Sequence, residues 1–356
     1  MSAATDLEDR LAARTLELVD IASESRAEAS IAGHICELMR SAGVPVTDTQ
    51  DACVLAGVPC RSGRPLVLLA GHLDTVPAQG NWPGRLGGGC IEGLGASDMK
   101  GGVAVMLELA LAAPRCDLDV GYVLFGREEL PSTYSALAPL LGREKGLRGA
   151  DLAIMLEPTS NALQAGCLGN LDARWSFRGR AGHSARPWQA DNAIERAAEG
   201  ILALKTIEPR RSAIAGLHFT SVASVTALHG GIAANVIPGE AIAGVNFRYA
   251  PDLTAAQAEA TLRGWCEPHG ELEILSNAAG ALPPKNNALL ARLLAASEVT
   301  LEPKQAWTPV AEFAAAGIEA VNFGPGDPSL AHRRDERIET SALARCYNVL
   351  EAFLCG

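Results

Sequence analysis

The chain has 356 residues, of which 48% are hydrophobic and 20% charged, with a net charge of −11. At roughly 150 residues per domain that predicts about two globular domains and excludes an extended disordered chain. No stripe or run of Lys and Arg appears, which argues against nucleic acid or an anionic membrane as partner, since both require clustered positive charge.

The N-terminal residues Met1 to Arg10 are acidic and lack the apolar stretch of a secretory signal. No segment reaches the ~18 consecutive apolar residues of a membrane helix. Nine cysteines (Cys36, Cys53, Cys60, Cys90, Cys116, Cys167, Cys266, Cys346 and Cys355) are scattered, none in a Cys-x-x-Cys pair. Neither a disulfide framework nor a thiolate zinc site is indicated, and a cytoplasmic protein with reduced thiols is expected.

Two helices are predicted first, over Asp6–Ile21 and Ala27–Ala42, from apolar residues near a 3.6 period. Gly43 and Pro45 end the second. Short, uniformly apolar runs follow at Val54–Ala56, Leu66–Ala70, Val120–Phe125 and Leu152–Leu156, with a small-residue helix over Gly101–Ala113. Such runs suit strands covered on both faces, and their alternation with helices predicts an α/β sheet. The middle of the chain differs. Leu171–Arg178 alternates apolar and polar residues, as a half-exposed strand does. A helix over Asn192–Leu204, strands over Thr220–Leu228 and Ala241–Tyr249, and a helix over Thr254–Cys266 complete an inserted α+β segment. The end returns to α/β and closes with a helix over Ser341–Leu354. The expected organisation is a discontinuous catalytic domain (1–168 and 279–356) interrupted by a smaller domain (169–278).

Polar residues of one kind follow these strands. Leu66–Ala70 runs into Gly71-His72-Leu73-Asp74. A His at the carboxyl end of a buried strand sits where open α/β sheets place ligands, and Asp74 is expected to accept a hydrogen bond from its imidazole. Gly95-Ala-Ser-Asp98 precedes the Gly101 helix, so Asp98 is either a ligand or a helix N-cap. Val120–Phe125 exits into Glu128-Glu129; adjacent carboxylates there suggest one metal ligand and one general base. Leu152–Leu156 ends in Glu157-Pro158, and the proline keeps Glu157 extended at the strand tip. His332 follows a Gly- and Pro-rich loop; alone it would pass for a solvated loop histidine. Together, two His and three carboxylates without thiolates suit zinc, cobalt or manganese, and two such ions could activate water and polarise an amide carbonyl. No Gly-x-Ser-x-Gly nucleophile elbow is present.

In order along nearly the whole chain, these segments resemble the dinuclear-zinc amidohydrolase and exopeptidase family that includes succinyl-diaminopimelate desuccinylase, acetylornithine deacetylase and carboxypeptidase G. The likeness rests on Gly71–Pro77, Gly95–Gly101, Glu128-Glu129, Glu157–Thr159, Gly182–Pro187, Asn235–Pro238 and Phe323–Asp327 with His332. It is strongest to the actinobacterial type of desuccinylase, through Ala165–Gly169, His183–Arg186, Asp191–Ile194, Val321–Pro328 and Leu330–Glu336. The resemblance implies a zinc-exopeptidase-like catalytic domain with an inserted dimerisation or lid domain, and a homodimer. It implies two zinc ions, with His72 and Glu157 on one, Glu129 and His332 on the other, and Asp98 bridging. Asp74 would orient His72, and Glu128 would be the general base. His183 would reach into the partner subunit's site and stabilise the oxyanion. Asn235, Arg248, Thr308 and Gly324 become substrate-binding candidates. The implied reaction is hydrolysis of an N-acyl amino acid, first among them N-succinyl-L,L-diaminopimelate, with an N-acetyl amino acid or a dipeptide as alternatives. A non-catalytic homologue without metals is the contrasting reading, and the intact ligand set speaks against it. Two segments depart from the pattern of many desuccinylases: Cys167-Leu-Gly-Asn170 replaces an Arg-Arg-Gly-Ser run, and Pro309 stands where an Asp is usual.

Overall fold

The computed structural model describes residues 3–48, 51–57, 62–112, 116–296 and 299–356. Met1, Ser2, Cys60 and Ala113, the predicted end of the Gly101 helix, lie outside the described residues. The chain divides into two compact units: Met1–Gly166, Pro283–Glu302 and Thr308–Gly356 form one, Cys167–Leu282 and Pro303–Trp307 the other.

The first unit is built on an eight-stranded sheet in the order Val46–Asp48, Val54–Gly57, Asp119–Phe125, Leu66–His72, Leu152–Met155, Ala320–Asn322, Leu163–Ala165, Leu301–Pro303. The four central strands run parallel, which explains their uniform apolarity, since both faces must be covered. Strands paired antiparallel flank them. Helices Ala3–Val19 and Ala29–Ser41 follow the two predicted ones, the second burying Ile31, Ile35, Cys36 and Met39 at helical spacing. Helix Gly101–Ala112 is buried on every side through Ala110, which is why its pattern is apolar all round rather than amphipathic. A small sheet, Arg85–Gly87, Cys90–Glu92 and Arg337–Glu339, was not legible in the sequence, because strands of three residues carry no periodicity.

The second unit has a five-stranded antiparallel sheet, ordered Arg210–Ile214, Leu217–Gly230, Glu240–Tyr249, Gly169–Arg178, Glu271–Ala278, and a two-stranded ribbon of Gly182–His183 with Val236–Ile237. Alternate residues of Gly169–Arg178 are buried, so one face packs Trp175, Phe177, Phe247 and Tyr249 against Ala197, Leu204, Leu262 and Cys266 of two helices. Those helices start on caps: the Asn192 side chain accepts from Ile194 N–H, and Thr254 forms a reciprocal capping box with Gln257. The strands Arg210–Ile214 and Glu271–Ala278 were not expected. The second has a register shift between Ile274 and Ser276 that breaks its alternation. Residues 303–307 join this unit through bonds from Leu168 N–H to the Ala306 carbonyl (3.1 Å) and from Trp307 Nε1–H to the Ala279 carbonyl (3.1 Å). The fold is thus mixed α/β with a mostly parallel sheet and an inserted α+β unit, as the sequence implied. No helix among the described residues is long and apolar enough to cross a membrane.

Candidate metal centre

The parallel register delivers the polar strand ends to one place. His72 is the last residue of a strand buried along its whole length, and Leu66–His72 pairs with both Asp119–Phe125 and Leu152–Met155. The turns after all three strands therefore leave the same edge of the sheet. His72 Nε2 lies 3.1 Å from Asp98 Oδ1 and 4.0 Å from Glu157 Oε1.

The other imidazole nitrogen corrects the sequence reading of Asp74. Nδ1 lies 3.0 Å from the Asp74 main-chain carbonyl, while the carboxylate is 3.6 Å away. That carboxylate accepts instead from the N–H groups of Glu128 (3.0 Å) and Glu129 (3.1 Å) and from the Ser25 hydroxyl (2.7 Å). The physical reason is local. The carbonyl of the turn reaches the ring, and two part-buried N–H donors on the adjacent turn need an acceptor. Asp74 thus fixes the Glu128–Glu129 turn, and main chain fixes the imidazole. Glu28 supports the same turn, accepting from Arg127 N–H at 3.1 Å. Arg127 itself has φ +62°, a left-handed conformation costly for a residue with a Cβ.

Asp98 is not an N-cap. It has φ −124° and ψ 93° within Ala96–Lys100, and the regular helix begins at Gly101. Its Oδ2 lies 3.5 Å from His332 Nε2. His332, with φ +60°, also meets Glu129, at 2.9 Å from Oε2. Among the described residues, three groups of donor atoms lying within 4.8 Å of one another result: His72, Asp98 and Glu157; Asp98, Glu129 and His332; His72, Glu128 and Glu129. The first two share Asp98. Imidazole and carboxylate donors at these separations fit a pair of divalent ions of the zinc, cobalt or manganese type.

The electrostatics point the same way. Burial and the carboxylates of Glu157, Glu129 and Asp98 push Glu128 well above the usual carboxylate range, with His72 opposing. Burial alone would lower His72, but its Asp98 hydrogen bond and the charges of Glu157, Asp98 and Glu128 raise it well above its ordinary value. The hydrogen bond to Glu129 pushes His332 up to about 9 against partial burial. Crowded carboxylates draw positive charge onto the imidazoles, which is the demand a bound cation satisfies.

The remaining predicted residues are distributed as follows. Thr308 and Gly324 are buried in the first unit. Gly324 lies against the main chain of the Glu157 turn, where an added Cβ would come within 2.3 Å of the Leu156 carbonyl and 2.4 Å of that of Glu157. His183, Asn235 and Arg248 belong to the second unit. There His183 pairs with Val236 in a two-residue ribbon, and Ser184 N–H donates to the Asn235 carbonyl at 3.0 Å. Arg248 is half-buried on the open sheet face, its Nε donating to Asn246 at 2.9 Å. Sequence reasoning missed Ser25, Glu28 and Glu336, ordinary polar turn residues whose partners are distant in sequence. Glu336 offered only its spacing of four residues from His332.

The model of the M20/M25/M40 peptidase family matches residues 68–355. The chain belongs to this family. A Mycobacterium tuberculosis member provisionally named succinyl-diaminopimelate desuccinylase is 39% identical over 347 residues, covering 96% of this chain and 97% of that one. The Corynebacterium glutamicum succinyl-diaminopimelate desuccinylase is 34% identical, covering 96% and 95%. An acetylornithine deacetylase from Myxococcus xanthus is 32% identical, covering 83% and 82%. Among solved structures, a family metallo-carboxypeptidase from Sulfolobus solfataricus superposes with a TM-score of 0.79 at 16% identity, covering 99% of both chains. A dinuclear metal-binding family peptidase from Bacillus subtilis does so with a TM-score of 0.70 at 14% identity, covering 98% of both. Family membership makes this protein a metal-dependent hydrolase of amide bonds.

Proposed function

We propose that the protein hydrolyses N-succinyl-L,L-2,6-diaminopimelate to succinate and L,L-diaminopimelate, a step of lysine biosynthesis. The observation that carries this substrate is near-full-length identity of 39% and 34% to the two relatives bearing the desuccinylase name. For the chemistry, the support is Asp98 standing in two donor groups at once.

In this reading His72, Asp98 and Glu157 would hold one zinc ion and Asp98, Glu129 and His332 the other, cobalt or manganese being substitutes. When bound, the two ions supply Lewis acidity at the scissile amide. Glu128 takes the proton from the attacking water and returns it to the leaving amine, the two transfers a single positioned carboxylate can make in turn. Asp74, through the Glu128 N–H, keeps that carboxylate on station. His183 donates to the developing oxyanion, and Arg248 and Asn235 bind the substrate carboxylates. Arg248 suits this role as a half-buried guanidinium whose charge burial disfavours and the Asp172 carboxylate only partly supports. Thr308 and Gly324 stay candidates for the pocket wall.

A homodimer through the second unit completes the proposal. Arg210–Ile214 pairs only with residues 217–221, so beyond Ser221 the long strand has one hydrogen-bonded neighbour among the described residues. Leu228 and Ile232 are exposed at 49% and 86%, and Ile194 lies against Gly230. An open apolar edge of this kind suits a second copy of the chain.

The test is a substrate panel with the zinc-loaded enzyme: N-succinyl-L,L-diaminopimelate, N-acetylornithine, other N-acyl amino acids and dipeptides. Highest kcat/KM on the succinylated substrate is expected. The 32% identity to an acetylornithine deacetylase supports the second reading, which a preference for the acetylated substrate would establish instead. Chelation should abolish activity, and zinc should restore it at two ions per subunit.

A further inference from the structure

Glu336 is buried, with 2% of its surface exposed, and touches none of the predicted ligand atoms by hydrogen bond or ion pair among the described residues. Its carboxylate is nevertheless aimed at the turn that presents Asp98. Oε2 accepts from Gly95 N–H at 3.0 Å, and Oε1 accepts from Ser97 N–H at 2.9 Å and Asp98 N–H at 3.0 Å. Its main-chain carbonyl accepts from Gly93 N–H at 3.0 Å, and its own N–H donates to the Arg333 carbonyl at 3.2 Å. One residue therefore ties four N–H groups of the Asp98 turn to the turn that carries His332. The next residues continue the link, since Arg337–Glu339 pairs with Cys90–Glu92. A carboxylate fits the task because it only accepts, and every donor facing it is a main-chain N–H. A serine hydroxyl from the same turn, Ser97 Oγ, is held separately by the Asp327 carbonyl at 2.9 Å.

We propose that Glu336 is a positioning residue that sets the separation of Asp98 and His332, and with it the affinity of the metal position these two share with Glu129. This rests on the reading of Asp98 as the bridging ligand. The position held by His72, Asp98 and Glu157 depends on Glu336 less, because His72 and Glu157 are fixed by the central strands. Glu336→Gln keeps the size of the side chain but turns an NH2 group toward at least one main-chain N–H, forfeiting part of the cradle.

The probe is Co2+ alone, titrated calorimetrically into metal-free protein and followed by its d–d absorption. Wild type should bind two ions. Glu336→Gln should keep the first and bind the second about 10–100-fold more weakly, the range seen when groups supporting metal ligands are removed. Its kcat should fall in the same proportion at unchanged KM. A role confined to overall stability would lower the melting temperature while leaving both Co2+ affinities and the spectrum as in wild type, and that result overturns the proposal; so does equal weakening of both ions. Asp98→Asn separates the two readings. If that variant binds two Co2+ with the wild-type spectrum, the bridging assignment fails. If it loses an ion while Glu336→Gln does not, Glu336 alone is misassigned. Should Glu336→Gln not fold, Glu336→Asp, which keeps the charge and shortens its reach, is read by the same titration, with the same outcomes.

Discussion

Glu128 sits in a turn whose main chain is pinned from behind by Asp74 and Glu28, so its side chain is free to serve chemistry rather than structure. Glu128→Ala should lower kcat by about 10²–10⁴-fold, the usual worth of a positioned general base, with both metal ions retained by elemental analysis. Unchanged turnover would remove Glu128 from the mechanism. Gly324 illustrates the opposite case, a residue important for having no side chain. Its missing Cβ would meet two carbonyl oxygens at 2.3 and 2.4 Å, and neither can move without moving the Glu157 turn. Gly324→Ala should therefore destabilise the protein by about 1–3 kcal/mol, as overpacking does, and weaken metal binding as well. A thermal melt with and without Zn2+ would detect both effects; a wild-type melt would show that the turn yields.

Among the elements, helix Val310–Ala315 carries a carboxylate with a proton affinity out of the ordinary. Burial pushes Glu312 up to about 7, while the hydrogen bond from Ser135 pulls it down. The folded state thus holds this proton more tightly than the unfolded chain, where the group titrates near 4.5. Its contribution to stability is fully present below about 4.5 and is lost as pH rises through about 7. Glu312→Gln should flatten that slope and make the protein more stable than wild type at pH 8, by an amount on the order of 1–3 kcal/mol. Urea unfolding at pH 5 and pH 8 measures it; parallel curves for the two proteins would contradict the assignment. Elsewhere the legibility of an element followed its environment. Leu66–His72 and Gly169–Arg178 read correctly because one is buried on both faces and the other on one. Glu271–Ala278 did not, because its bulge shifts the period halfway along.

For the whole molecule, the open edge beyond Ser221 and the exposed Leu228 and Ile232 lead to a prediction about assembly. If the proposed dimer forms there, wild type should be dimeric in light scattering and Leu228→Lys with Ile232→Asp should be monomeric. If His183 acts across the interface, kcat should fall together with dimer content as protein is diluted. A double variant that remains dimeric would place the interface elsewhere, and a fully active monomer would keep His183 out of its partner's site.

What the sequence determined by itself was the set of polar residues at the strand ends. A buried parallel strand leaves a continuous apolar run, and the polar residue that ends it stands out: His72 after Leu66–Ala70, Glu128 and Glu129 after Val120–Phe125, Glu157 after Leu152–Leu156. The α/β class followed from the same runs, and the family from the order of the motifs. The tertiary structure alone removed the cap reading for Asp98, moved the Asp74 carboxylate from His72 to the Glu128–Glu129 turn, and brought Glu336 under the Asp98 turn. Those arrangements join residues 54 and 238 positions apart through main-chain N–H groups. Every residue but proline offers such a group, so side-chain identity leaves no trace of which one will be bound.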